Sequence, residues 1–547
     1  MDDAFLQEMA GGYAFDEPAV VFGGAMLGNE VDTATRIRLP LSMVNRHGLV
    51  AGATGTGKTK TLQLMAGQLS DLGVPVFVAD VKGDLTGASQ PGSADAPHVP
   101  DRCVSLGWTF EGRGHPVELL SLRGALGARV RATVHSFGPL LLAKVLDLNK
   151  TQTSVLSMVF KYCDDQALPL LDLDDLRTTL RFLGSDEGKP VLEEYGGMSP
   201  STVGVLLRSL VDLEQQGAAD FFGEPEFDVA DLLRMTPDGT GVISLLELSD
   251  VMDRPRLFST FMLWMLAQVY AELPEEGDLP KPKLAFFFDE AHLLFDDASD
   301  ALMDQIELTA RLIRSKGVGV YFVTQAPTDV PSSVLSQLGN RVQHALRAFT
   351  PEDETNLKKT VRTMPKTDHY DVAEVLTSLG IGEAFVTVLS PKGVPTPLAA
   401  TRLIPPDSLM DAVGEATRQQ LLAAGALAAK YAHDVDRESA HEIINARLGI
   451  AKESVGIPAA PSGGVPLPPP PSGAPTSTPS AAAPTPTAMP APKTKAPRKA
   501  SAPSAKVEPS AGDHVKDIAT GFAKDMLTTA DGRRTLRSVF GTLFGKK

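Results

Sequence analysis

The sequence predicts an α/β protein built on a mostly parallel sheet that is covered on both faces. Two observations carry that expectation. The apolar runs at 47–51, 74–79, 241–248, 284–288 and 318–323 are nearly continuous rather than alternating, as strands buried on both sides must be. Stretches of helical spacing lie between them, as parallel crossovers require. A third observation places a ligand. Gly52, Ala53, Thr54, Gly55, Thr56, Gly57, Lys58 and Thr59 match G-x-x-x-x-G-K-[ST], between one such run and a helical stretch.

Taken in chain order, 19–22 and 37–41 read as short β pieces, and residues 1–45 as a short N-terminal β segment with little else. The run 47–51 is the strand that enters the glycine-rich loop. Apolar Leu62, Met65, Ala66, Leu69 and Leu72 then recur at helical spacing. The strand 74–79 ends in Asp80, Lys82 and Asp84. Polar residues there sit where α/β sheets bind ligands, or form an ordinary βα loop. Three β-like runs follow at 103–106, 116–120 and 131–134, and residues 139–239 read as a helical insertion. The core spans 46–138 and 240–404, followed by C-terminal helices at 405–450. Residues 451–512, rich in Pro, Ala and Ser, read as a disordered linker. Residues 513–547 read as a basic amphipathic helical tail, with Arg533, Arg534 and Arg537 opposite an apolar face. Such a tail suits docking onto the body, a protein partner or an anionic surface.

Composition bounds the function. The 547 residues carry a formal charge of -16, which argues against a surface coated in basic residues. It leaves room for a narrow basic channel within a ring. Cys103 and Cys163 fit no metal spacing and suit reduced thiols in the cytoplasm. The most apolar stretch, 257–271, would span about 22 Å as a helix, short of a bilayer core of about 30 Å. It reads as a buried helix, so no membrane span is expected.

The glycine-rich loop brings backbone N–H groups together on phosphate oxygens, where side chains would block the approach. Lys58 puts a point charge on the β- and γ-phosphates of a nucleoside triphosphate, and Thr59 offers a hydroxyl to Mg²⁺. The expected nucleotide contacts run through Lys60, the next residue in the helix. After the run 284–288 come Asp289, suited to hold the metal opposite Thr59, and Glu290, suited to activate water as a general base. His292 fits capping or helix packing as well as catalysis. Gln325, at the end of the run 318–323, can sense the γ-phosphate and orient the water. Arg311 and Arg314 share a helix face ahead of Gly317. They are either cations at a helix C-terminus or contain an arginine finger for a neighbouring subunit, Arg314 being preferred.

Residues 45–59, 80–84, 288–292 and 311–325 together resemble the HerA–FtsK superfamily of ring-forming motor ATPases, and within it the bacterial HerA-like helicases. The resemblance covers residues 20–400. It implies a RecA-like P-loop NTPase core, a homo-hexamer and ATP-driven movement along double-stranded DNA. Archaeal-type relatives carry a complete β-barrel before the ATPase, for which residues 1–45 are too few. The Asp289 to His292 string also resembles a DEAH-box helicase. Such an enzyme needs a second RecA-like domain after the motif, and too little chain precedes the linker. The expectation is an ATP-hydrolysing DNA translocase or helicase. The competing expectation is an ATP-dependent switch or scaffold that remodels a protein partner without moving DNA.

Overall fold

The computed structural model describes residues 1–449 except 253 and 296–299. The expected linker and basic tail lie outside the described residues. The strands are β1 (Ala19–Leu27), β2 (Glu30–Pro40), β3 (Gly48–Ala51), β4 (Val76–Asp80), β5 (Val117–Ser121), β6 (Ala128–Arg129), β7 (Ile243–Glu247), β8 (Leu284–Phe288), β9 (Val318–Thr324), β10 (Asn340–His344), β11 (Glu383–Thr387) and β12 (Ala399–Leu403). They form one twelve-stranded sheet in the order β2-β1-β12-β11-β10-β3-β9-β8-β4-β7-β5-β6. From β10 to β6 every neighbouring pair is parallel. From β10 back to β2 every pair is antiparallel.

Alternation along the central strands explains why their runs are apolar throughout. Phe77, Phe286, Phe288 and Phe322 face one core with the helix Pro255–Glu272 and its Trp264. Val76, Val78, Phe287 and Tyr321 face the other with the helix α2 (Lys58–Asp71), through Leu62, Met65 and Leu69. Each face is therefore closed by a helix, and a polar residue on either would be stranded. Rings stack across both faces, Phe288 on Phe322 at 5.4 Å and Phe287 on Tyr321 at 5.0 Å. Residues 257–266 of the helix Pro255–Glu272 are buried, as expected of its apolar stretch. Among the described residues no helix is long and apolar enough to cross a membrane.

Local structure departs from expectation in three places. Residues 1–45 also contain a helix, α1 (Asp3–Gly12), whose Phe5 and Met9 are buried and whose N-cap Asp2 accepts from Phe5 N at 2.7 Å. β1 and β2 pair with each other, and β1 joins the sheet through β12. Residues 103–106 lie in a helix, α3 (Val99–Leu106), with Pro100 in its first turn and Gly107 in a left-handed cap. Residues 131–134 are not a strand. Ala132 makes a single bridge to Phe222, and Thr133 caps the helix Val134–Val145 by accepting from Ser136 N at 3.1 Å. That helix and Lys150–Asp165, Leu173–Gly184 and Pro200–Gln215 pack with Trp264 and Phe261 in one apolar core.

Beyond β12 the chain crosses α2 before turning helical again. Gln63 Nε2 donates to Ser408 Oγ at 2.8 Å and to Leu409 O at 2.7 Å, and Val413 N donates to Thr86 Oγ1 at 3.1 Å. The helices Glu415–Ala424, Ala426–Lys430 and Ala440–Arg447 follow.

Candidate active site

All the parallel strands end on one edge, and the phosphate-type loop lies there between β3 and α2. Gly52 and Gly57 have positive φ, 158° and 112°. A Cβ on Gly52 would lie 2.4 Å from His344 Cβ, so only glycine fits. The loop is pinned at the ends of three strands, by the last residue of β9 and the residues flanking β10 and β11: Gly52 N donates to Thr324 O at 3.2 Å, Ala53 N to Ala345 O at 2.9 Å, and Gly382 N to Thr56 O at 3.0 Å. Thr56 Oγ1 donates to Ala53 O at 2.7 Å. Thr54 and Gly55 are exposed on its outer rim, and Thr59 is half-buried in the first turn of α2.

Lys58 is 8% exposed and folds back over the loop, donating to Gly52 O at 2.7 Å and reaching Ala53 O at 3.4 Å. Burial lowers its pKa, while the charges of Glu290 and Asp289 oppose that shift. Lys60 turns elsewhere, and its Nζ pairs with Met410 O. His344, at the end of β10, lies 2.9 Å from Thr61 Oγ1. Burial, reinforced by the charge of Lys58, pushes its pKa down to about 4 and keeps the ring neutral.

Asp289 follows β8 and is 1% exposed, with its N–H bonded to Ala79 O at 3.2 Å. Its Oδ2 is buried without a hydrogen-bond partner. Burial pushes its pKa up to about 7, with Glu290 and Asp80 adding to the shift and Lys82 opposing it. Glu290 has φ 47°, a left-handed conformation uncommon for a side chain of its size. Its Oε1 pairs with Lys82 Nζ, and its Oε2 lies 3.4 Å from His292 Nδ1 but accepts no hydrogen bond. Burial opposes its charge, yet Lys82 and then Lys58 hold its pKa below the ordinary value.

Of the group after β4, Asp80 shapes the turn. It accepts from Gly83 N at 2.8 Å and Leu85 N at 3.0 Å, and burial pushes its pKa up to about 6. That turn presents Lys82 to Glu290. Thr324 Oγ1 donates to Asp329 Oδ2 at 2.7 Å, and Ala326 N donates to the same oxygen at 2.8 Å. Gln325 is exposed beside them. Sequence reasoning missed Asp329, His344 and the pairing of Lys82, because each depends on which strands become neighbours.

The strand order brings these groups together. β9 alone separates β3 from β8, so the loop and the acids stand two strand spacings apart, about 10 Å. A triphosphate can bridge that gap. The two arginines lie elsewhere. Arg311 is on the helix Asp300–Leu312 and pairs with Glu307 at 3.1 Å. Arg314 is exposed on the 3₁₀ turn Ile313–Lys316, which Gly317 ends at φ 75°. That turn enters the amino end of β9, whereas Gln325 leaves its carboxyl end. Seven residues of strand, about 23 Å, lie between.

The fit to a nucleotide rests on the loop's converging backbone and on a lysine that closes over it. The fit to Mg²⁺ rests on a hydroxyl at Thr59 and an unpartnered carboxylate oxygen at Asp289, the hard oxygen donors this ion selects. The model of the helicase HerA-like C-terminal family matches residues 26–547. The chain belongs to this family. It is thus a HerA-like P-loop ATPase. The DNA double-strand break repair helicase HerA of Sulfolobus acidocaldarius is 20% identical over 375 residues, 68% of this chain and 68% of that one. Its namesake from Pyrococcus furiosus is 24% identical over 382 residues, 64% of each chain. This HerA-like chain spans about two thirds of the length of the curated relatives it matches. Among solved structures, VirB4 of Thermoanaerobacter pseudethanolicus is similar at 13% identity, with a TM-score of 0.45 over 74% of this chain and 99% of that one.

Proposed function

We propose that this HerA-like chain hydrolyses ATP to drive movement along double-stranded DNA, as a homo-hexamer in the cytoplasm. The observation that carries the reading is the pair Asp289 and Glu290. Two buried acids stand at one strand tip, each with an oxygen that no protein group satisfies, across β9 from the phosphate-type loop. Buried carboxylates left in that state have a use that offsets their cost.

In this reading Gly52, Ala53, Thr54, Gly55, Thr56 and Gly57 cradle the phosphates. Lys58 exchanges the carbonyls of Gly52 and Ala53 for β- and γ-phosphate oxygens. Thr59 and Asp289 hold Mg²⁺, which when bound neutralises charge on the phosphates. Glu290 takes a proton on Oε2 as water oxygen bonds to the γ-phosphorus and the bond to the β–γ bridging oxygen breaks, leaving ADP and phosphate. Gln325 orients that water. Arg314, with Arg311 as the other candidate, stands at the far edge of its own sheet, so it serves only in a neighbour's site.

Glu290→Gln tests the reading. The variant is expected to bind ATP while turnover falls about a hundredfold or more, and the intact chain is expected to elute as a ring whose ATPase rises with duplex DNA. Normal turnover by the variant, or indifference of a slow wild type to DNA, would sink the reading.

A further inference from the structure

A triphosphate in this loop has two ends, and strand order orients it. Asp289 and Glu290 fix the γ end on the β9 side of β3. The nucleoside therefore leaves on the opposite side, over β10 and β11. There the turn 380–382, leading into β11, touches the phosphate loop. Gly382 N donates to Thr56 O at 3.0 Å, and a Cβ on Gly57 would lie 3.3 Å from Gly382 N. The turn is held from every side. Arg102 on α3 donates through Nη1 to Gly382 O at 2.9 Å and through Nη2 to Ile381 O at 2.7 Å. Gly380 N donates to Glu383 Oε2 at 2.9 Å, and Leu403 N to Gly382 O at 3.0 Å. The Ile381 side chain is left 71% exposed. A single exposed isoleucine means nothing by itself. The backbone of this one is anchored at the rim of the loop, on the side where a base must emerge.

We propose that Ile381 is the shelf on which the nucleobase of the bound triphosphate rests, an inference that depends on the ATP reading given above. The shelf determines how the base is recognised. The carbonyls of Ile381 and Gly382 already accept from Arg102, and Gly382 O also accepts from Leu403. The Ile381 side chain itself offers only an apolar face, which grips any base by contact and does not read its hydrogen-bonding edge. Base identity is accordingly a minor determinant of affinity.

Equilibrium binding to the full chain with Mg²⁺ tests this, using non-hydrolysable analogues of ATP and GTP, and inorganic tripolyphosphate, which has no base. Ile381→Ser is expected to weaken the ATP analogue about fivefold and to leave tripolyphosphate unchanged, while Ile381→Leu binds both like wild type. Wild type is expected to hold the two nucleotide analogues within about tenfold of each other. Equal weakening of tripolyphosphate would mean that Ile381 only shapes the loop, and no weakening of either would mean that the base lies elsewhere. Each result overturns the proposal, and rejection of the GTP analogue by about a thousandfold or more overturns its claim of weak readout. Lys58→Ala separates the layers. If it loses both ligands, the triphosphate site stands whatever Ile381 does. If it binds both undiminished, the underlying reading fails first.

Discussion

Glu118 on β5 and Asp289 after β8 are acids of similar burial in one sheet, yet they are treated in opposite ways. Glu118 Oε2 accepts from Arg234 at 2.9 Å, and its Oε1 accepts from Leu427 N at 3.0 Å. Both oxygens are used, and the carboxylate ties the C-terminal helices to the sheet. Asp289 keeps an oxygen without a partner, beside a second acid in a left-handed backbone and two lysines. Burial of an acid is common to both places. What separates a fastener from a reactive site is the lone pair left over, because only that lone pair is available to something that arrives later.

The contrast can be broken by mutation, and the largest effect is expected at Lys58. Lys58→Ala should lower ATP turnover by about a thousandfold or more, whereas Glu118→Gln, with a similarly shaped amide, should stay within a few-fold. Comparable losses in a steady-state ATPase assay would erase the distinction. Arg314→Ala should cost about a hundredfold or more, and mixing it with Lys58→Ala chains should restore activity, since each mixed ring contains sites with an intact loop and an intact finger. Absence of rescue would remove Arg314 from the neighbour's site.

The remaining effects are on stability. Glu118→Ala leaves Arg234 and Leu427 N without their acceptor and should destabilise the chain by about 2–3 kcal/mol, read as a lower unfolding midpoint. Asp289→Asn should do the reverse in nucleotide-free protein. The folded carboxyl titrates at about 7, above its unfolded value. Wild type therefore loses stability as pH rises from about 4 through about 7. The gain from the asparagine grows across that window, by up to about 4 kcal/mol, and levels off above it. A gain independent of pH would show that Asp289 is not held in that environment.

The parts of this molecule legible in its sequence are those with one physical solution. Residues 284–288 are apolar because both faces of β8 are covered, so a strand with acids at its tip was readable without the fold. The glycine loop was readable because its backbone must approach an anion. α1 went unread although its signal was present: Asp2 caps it, and Phe5 and Met9 share a face. The run 103–106 is too short to separate strand from helix, and the punctuation that decides it, Pro100 and Gly107, lies outside the run. Arg311 and Arg314 showed a shared face, but spacing does not say which edge of a sheet that face adjoins. His344 and Asp329 carry no local mark, since their meaning arises only when β10 and β9 flank β3.

The residues that leave β12 give the motor an unexpected gauge. Gln63 and Lys60, one turn into the helix that faces the phosphates, are moored to Ser408, Leu409 and Met410. Linkage is reciprocal. Whatever free energy an incoming phosphate lends to that mooring, the mooring returns to the phosphate, so the ease with which a protease nicks residues 405–413 would serve as a meter of nucleotide occupancy some distance from the chemistry.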